Sequence, residues 1–454
     1  MGGRTLGRGA CVGLAALALS GSAHQAVAQT PVTAAESLRD PGRPETAGAV
    51  ALALGGARVS GTGGAVDAAL NPATLLRGPA WDTVLSIGAT RYARDELQRS
   101  IVSGSAVDTW PRRRNAPKPI GAAAIAYRWS WIAVGAFVDS VSRINHSYAV
   151  DRVQRSSPSP SGTSRYEMAT ESFSTEALRA GGSVALRVPG DVAVVGMSLH
   201  GRRTRVAHAY EGTYTDVANQ GGYPPDLLHV WRDLAVDDWG VGFTLGGVVR
   251  IHRRAEAAVR FVHEPRAPAL LVGTTDRSPH ISQWFVNRFE VSLDAPDELQ
   301  AGLTVRAGGL RVVAEAGAVL AAGTFRDPEG PCTTTTPGPF VLPVTRIKDC
   351  WDLITPDIEH VRRPNIFDIR LGAERLWRRG RWTWVLRAGA SRGTAPVLRP
   401  DPLEPSAFVP IEPPRTWLHA GGGVAVGRFG VDVGASRWQG QYRVLMDLRW
   451  RSAH

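Results

Sequence analysis

Long apolar runs are missing from this chain. Nowhere do about 18 uncharged apolar residues follow one another, the length a membrane-crossing helix needs. The nearest candidate, residues 122–138, carries Arg128 and Ser130 in its middle, so a bundle of membrane helices is excluded. Lysine is nearly absent too. Only Lys118 and Lys348 occur among 52 basic residues, so the net charge of +11 is carried by arginine. Those arginines are spread along the whole chain, whereas a nucleic-acid binder gathers its charge on one face or tail. The fifty glycines show no period of three, which excludes collagen. Fourteen tryptophans within a 43% hydrophobic content argue against a disordered chain. Length alone suggests about three domains of ~150 residues each, a prior that large β-barrels break.

Cysteine is scarce as well, with Cys11, Cys332 and Cys350 the full set. Cys11 falls in a leader: Arg4 and Arg8 form a basic start, residues 10–20 an apolar run too short to span a bilayer, and Ala26-Val27-Ala28 a small-x-small cleavage pattern. Residues 1–28 therefore read as a signal peptide and the rest as exported. In an oxidising compartment Cys332 and Cys350 read as one disulfide stapling a Pro/Thr-rich loop. A metal site would need further ligands at the right spacing, and only His360 is near.

What is present from about residue 81 onward is a period of two. Phe367, Ile369, Leu371 and Ala373 alternate with Asp368, Arg370, Gly372 and Glu374. Val444, Met446, Leu448 and Trp450 alternate in the same way with charged residues. Such a pattern puts one set on each face of a strand. Tight turns, as at 189–191, 307–309 and 378–381, alternate with long polar connections at about 93–119, 150–175, 211–238, 265–283, 324–364 and 395–416. Short and long connections in alternation are expected of an outer-membrane barrel, with tight turns on the periplasmic side. Parity favours about fourteen strands, with 284–306 kept as one strand kinked or bulged at Pro296. The fold class expected is an all-β, transmembrane antiparallel barrel over residues 81–450, ending on the aromatic Trp450. Tryptophans near strand ends (Trp81, Trp129, Trp131, Trp239, Trp377, Trp382) suit interfacial girdles.

Residues 29–80 lack that period and are rich in glycine and alanine, running Gly55-Gly56-Ala57-Arg58-Val59-Ser60-Gly61-Thr62-Gly63-Gly64-Ala65 and then Asn71-Pro72-Ala73-Thr74-Leu75. This resembles the N-terminal signature of the FadL/TodX outer-membrane transport family, G-A-R-x-x-G-M-G-G-A followed by N-P-A-G-L. The resemblance continues at Arg370–Glu374, Leu386–Gly389 and Val431–Ser436, so it touches roughly residues 50–450. Thr62 stands where the family has Met, Thr74 where it has Gly, and the spacer between Ala65 and Asn71 is shorter than usual.

The resemblance implies an N-terminal plug over 29–80, with Gly61, Gly63, Gly64, Asn71 and Pro72 as its gating residues, and passive uptake of long-chain fatty acids or aromatic hydrocarbons. Ligand would leave through a lateral gap, near Pro296 or the first three strands. The alternative is a plugged barrel acting as a partner in protein secretion or surface assembly. The charges predicted to face inward include Arg260, Arg311, Glu315, Asp368, Arg370, Glu374, Arg387 and Asp447, of both signs, which reads as an ion-paired lumen. Gly389-Ala390-Ser391-Arg392-Gly393 matches a nucleophile elbow, but its flanks are a strand and a Pro-rich loop, so no hydrolase is expected. His200, His208, His252 and His263 lack metal-pair spacing. The expectation is thus a monomeric, cofactor-free, non-enzymatic outer-membrane channel whose partners are outer-membrane lipid and a hydrophobic small molecule, not nucleic acid.

Overall fold

A computed structural model describes residues 48–91, 98–102, 105–109, 118–155, 164–190, 192–217, 226–277, 283–294, 297–320, 333–335, 365–394, 398–400, 408–410, 415–438 and 441–452. The leader, Cys332, Cys350 and Pro296 lie outside the described residues. Two short helices come first, α1 (Ala49–Ala53) and α2 (Asp67–Leu70), then a 3-10 turn over Pro72–Arg77.

The strands follow: β1 (Trp81–Arg91), β2 (Gln98–Val102), β3 (Ser105–Thr109), β4 (Lys118–Arg128), β5 (Ile132–Arg155), β6 (Ser164–Arg187) and β7 (Ala193–Val217). Next come β8 (Asp226–His252), β9 (Ala255–His263), β10 (Arg266–Arg277), β11 (Gln283–Asp294), β12 (Asp297–Ala307), β13 (Leu310–Leu320) and β14 (Thr333–Thr335). The last are β15 (Ile366–Arg379), β16 (Trp382–Gly393), β17 (Leu398–Pro400), β18 (Phe408–Pro410), β19 (Arg415–Val426), β20 (Phe429–Trp438) and β21 (Gln441–Arg451). Neighbours along the chain pair antiparallel, and β1 pairs with both β4 and β21, so the sheet closes on itself. With β9–β10, β11–β12 and β13–β14 each filling one place in the wall, the barrel has fourteen strands.

Alternation decides the two faces. Along β15, Phe367, Ile369 and Leu371 are exposed while Asp368 and Arg370 are buried. The same holds for Val431 and Val433 against Asp432. An outer belt of apolar side chains surrounding a charged interior is the reverse of a water-soluble core. It is stable only where lipid covers the belt. Trp129, Trp131, Trp377, Trp382 and Trp450 are exposed near strand ends, whereas Trp239, expected at a strand end, is exposed midway along the long β8. Trp450 meets Trp81 edge-on at 4.8 Å and stacks on Phe429 at 6.1 Å.

Two expectations need correction. The connections expected at 150–175, 211–238 and 265–283 are largely strand, because β5 to β8 run 24 to 27 residues and β10 continues the wall from Arg266 to Arg277. These stretches carry polar residues at both parities, so the two-residue alternation fades although the ladder goes on. The strand expected over 284–306 is two segments, β11 and β12, on either side of residues 295–296.

Candidate functional site: the lumen and the segment inside it

Residues 48–76 are almost wholly buried inside the barrel. Helix α1 packs on β16, β19, β20 and β21, and the 3-10 turn on β4 to β8. Small residues make this possible. The wall glycines Gly372, Gly389 and Gly434 lie against Leu54 O, Gly55 N and Ala49 O, and a Cβ on any of them would collide with that backbone. The same packing leaves the segment too short of helix to satisfy its own amides, so the wall must supply acceptors.

It does so with carboxylates. Glu315 accepts three consecutive backbone N–H groups, from Arg58 at 2.8 Å, Val59 at 3.0 Å and Ser60 at 2.7 Å. Asp447 accepts Ala49 N at 2.8 Å and the Ser86 hydroxyl at 2.7 Å. Asp82 accepts Ala65 N at 2.6 Å. Arg311 donates to the carbonyls of Ser60 and Gly61. Within the segment, Asn71 Oδ1 accepts Ala73 N at 3.2 Å while its Nδ2 donates to Val59 O at 2.7 Å, and Pro72 opens the 3-10 turn. Gly61 sits at φ +68 and Gly63 at φ +72, and Gly64 packs against Asp82 and Arg449.

The remaining predicted charges pair across the wall. Arg260 bridges Glu298 at 3.2 Å and Gln300 at 3.0 Å, and Arg58 reaches the same Glu298 at 3.2 Å. Arg370 holds Asp368 at 2.6 Å. Arg387 spans Glu374 at 2.7 Å and Asp432 at 2.6 Å, and Arg449 continues the chain to Asp432 and Asp447. Each buried guanidinium thus has a carboxylate, as burial of charge demands.

A second cluster was missed from sequence. Arg179 grips Asp139 through two bonds at 2.8 and 3.1 Å, and Glu264 gathers Arg179 at 3.4 Å, Arg202 at 3.2 Å and His200 at 3.4 Å. Glu264 lies beyond Val262 on the inward parity of Arg260, which is the signal that could have exposed it. A strand expected to stop at residue 264, just before Pro265, conceals that position.

That cluster adjoins a break in the wall. β9 pairs with β8 up to Phe243–His263, and β10 pairs with β8 from Ala235–Leu270. Between them residues 236–242 and 264–269 have no ladder partner across the seam, among the described residues. Pro265 sits in the break and has no N–H to give. On the lipid side His263 meets Asp297 at 2.9 Å, a polar pair at the lower edge of the seam.

The elbow-like Ser391 lies within β16, with strand on both sides and no following helix. Its hydroxyl is 3.0 Å from His419 Nε2, a packed lumen contact. Among the described residues no cluster of metal-ligating side chains occurs.

No family model matches the chain, and no curated protein matches it. Solved structures do. The chain is similar to the CymD monoaromatic hydrocarbon channel at 16% identity and TM-score 0.52, covering 91% of this chain and 99% of that one. It is similar to the Ralstonia pickettii toluene transporter TbuX at 16% identity and TM-score 0.53, covering 90% and 99%. A Pseudomonas aeruginosa FadL homologue superposes with TM-score 0.57 at 12% identity, covering 89% and 97%. The fold is the FadL-type barrel. Both departures from the FadL-like signature are absorbed locally. The Thr62 hydroxyl donates to Asp67 at 2.9 Å, and the Thr74 hydroxyl donates to Asn71 O at 2.8 Å while its side chain fills the space beside Gly61.

Proposed function

We propose that this protein is an outer-membrane channel for passive uptake of hydrophobic small molecules, monoaromatic hydrocarbons or long-chain fatty acids. The observation that carries the reading is the seam between β8 and β9–β10, beside a lumen occupied by charge and by the inner segment. An apolar ligand descending from the external side meets the Arg179–Glu264 cluster below it, where desolvating ion pairs is costly. Beside it the ladder between β8 and β9–β10 is interrupted, and a parting of the strands there would lead to lipid, where burial of apolar surface is favourable at about 25 cal/mol per Å². The downhill route is sideways. The segment 48–78 acts as the plug that closes the straight path, with Gly61, Gly63, Gly64, Asn71 and Pro72 shaping its turns. The arrangement needs no cofactor and no catalysis.

The test is uptake of labelled toluene and oleate by cells carrying the protein. Val241, exposed on the lipid face within the seam, is changed to Cys and coupled to a bulky maleimide. Uptake should fall several-fold, and the same label at Leu371→Cys, on a continuous stretch of wall, should leave it unchanged. Equal uptake with and without the protein would overturn the transport reading. Undiminished uptake with Val241 blocked would overturn the lateral route alone.

A further inference from the structure

We infer that the periplasmic end of β15 and β16 is a binding site for the phosphate of an anionic phospholipid in the inner leaflet of the membrane. The outward positions of β15 run Phe367, Ile369, Leu371, then Arg375, Trp377 and Arg379, all exposed. Arg375 is thus on the lipid side of the wall, one outward step deeper than the girdle residue Trp377. An uncompensated arginine on the lipid face is unfavourable, increasingly so toward mid-membrane. A partner anion in the headgroup layer, reached by the flexible stem, removes that cost.

Among the described residues no protein group supplies that anion. Among the described residues Arg375, Arg378, Arg379 and Arg381 have no ion-pair partner. A neighbouring part of the same rim behaves differently, for Arg306 and Arg77 share Glu256 at 2.6 and 2.9 Å. Four unpaired guanidinium groups within seven positions therefore mark this turn out. Cross-strand register completes the site. Trp377 is opposite Trp384, Arg379 opposite Trp382, and Arg375 opposite Leu386. Trp382 and Trp384 lie nearly parallel, with ring centroids 6.0 Å apart. The result is a platform of indoles at glycerol depth, flanked by two outward arginines whose planar forks match a phosphate diester.

A lipid is favoured over a soluble acidic protein because Arg375 and Trp384 face the hydrocarbon edge, where only an amphiphile presents phosphate and acyl chain together. The inference concerns how the barrel is seated in its membrane and is independent of what it transports.

The experiment is native mass spectrometry of the full chain from mild detergent, titrated with phosphatidylglycerol, cardiolipin and phosphatidylethanolamine. The anionic lipids should be retained in preference to the zwitterionic one. Arg375→Gln with Arg379→Gln should weaken that retention about 30-fold, the effect of two interfacial arginines. Arg253→Gln with Arg254→Gln, on the exposed turn between β8 and β9, should leave it unchanged. If the glutamine pair fails to give a folded, heat-modifiable band, Arg375→Lys with Arg379→Lys keeps the charge and should weaken retention less than tenfold. Three outcomes would overturn the inference: unchanged retention in the glutamine pair, equal loss in the control pair, or displacement of the lipid by excess inorganic phosphate, which would mark a free-phosphate site.

Discussion

At the scale of single residues, Glu315 has the largest structural role that can be isolated. One carboxylate satisfies three successive amides in a buried site. Replacing it by Leu leaves those donors without partners, at ~1–3 kcal/mol for each. Glu315→Leu should therefore release the inner segment, which limited proteolysis of the folded barrel would register as new cleavage between residues 55 and 65. An undigested segment would show that the wall glycines alone hold it. A second residue responds to pH. Asp237, two positions beyond the girdle residue Trp239, is hydrogen-bonded by Arg203 at 2.7 Å and by Arg205 at 3.0 Å. The Arg203 bond, helped by Arg205, lowers its pKa to about 2. Because the folded value is depressed, the pair's stabilisation is present above the unfolded value of ~3.9. It is lost as pH falls through about 2. Carboxylate infrared titration of Asp237 should give a midpoint near 2 that rises toward ~3.9 in Arg203→Gln with Arg205→Gln. A midpoint unmoved by the double change would show that the arginines do not set it.

At the scale of elements, the contact between wall and inner segment explains pieces of sequence that looked merely repetitive. Gly372, Gly389 and Gly434 sit on β15, β16 and β20, each at an inward position pressed by segment backbone. They occur in the very stretches that carry the FadL-like resemblance, so that resemblance records the footprint of the segment on the wall. Gly389→Val puts a branched side chain where Gly55 N lies and should push the segment out of register. Single-channel recordings in planar bilayers should then show larger or noisier conductance than the parent barrel. Unchanged conductance would mean that the segment can shift without opening a path.

The same scale shows what could be read in the chain and what could not. Strands were legible where one face meets lipid and the other the lumen, as in Phe367–Glu374, because the environment enforces the alternation. They were not legible at 150–175 or 211–238, where polar residues fall at both parities of the strand. The inward charges of β15, β16 and β21 were legible for the first reason. The Asp139–Arg179–Glu264–Arg202 cluster was not, since barrel curvature assembles it from β5, β6 and β7 and from the β9–β10 junction, where the wall continues past a proline. The seam escaped for a related reason: Pro265 looked like the start of a loop, and only the ladder reveals wall on both sides of it.

At the scale of the whole molecule, nearly every ladder joins strands that follow one another in the chain, a meander that can be laid down hairpin by hairpin. The pairing of β1 with β21 is different, because it joins Asp82 to Arg451 across almost the whole sequence. The inner segment is bound on both sides of that ladder, to Asp82 on β1 and to Asp447 on β21, while Ser86 of β1 bonds the same Asp447. Asp82→Ala with Asp447→Ala should lower the temperature at which the folded gel band converts to the unfolded one, by more than a matched pair of changes at Asp368 and Arg370. An equal shift would remove the closing ladder from special status. The segment therefore behaves as a latch whose two jaws are the first and last strands to be made. Closure and seating become one event in time, so a barrel that has not swallowed its own N-terminal segment is also a barrel that has not finished becoming a ring.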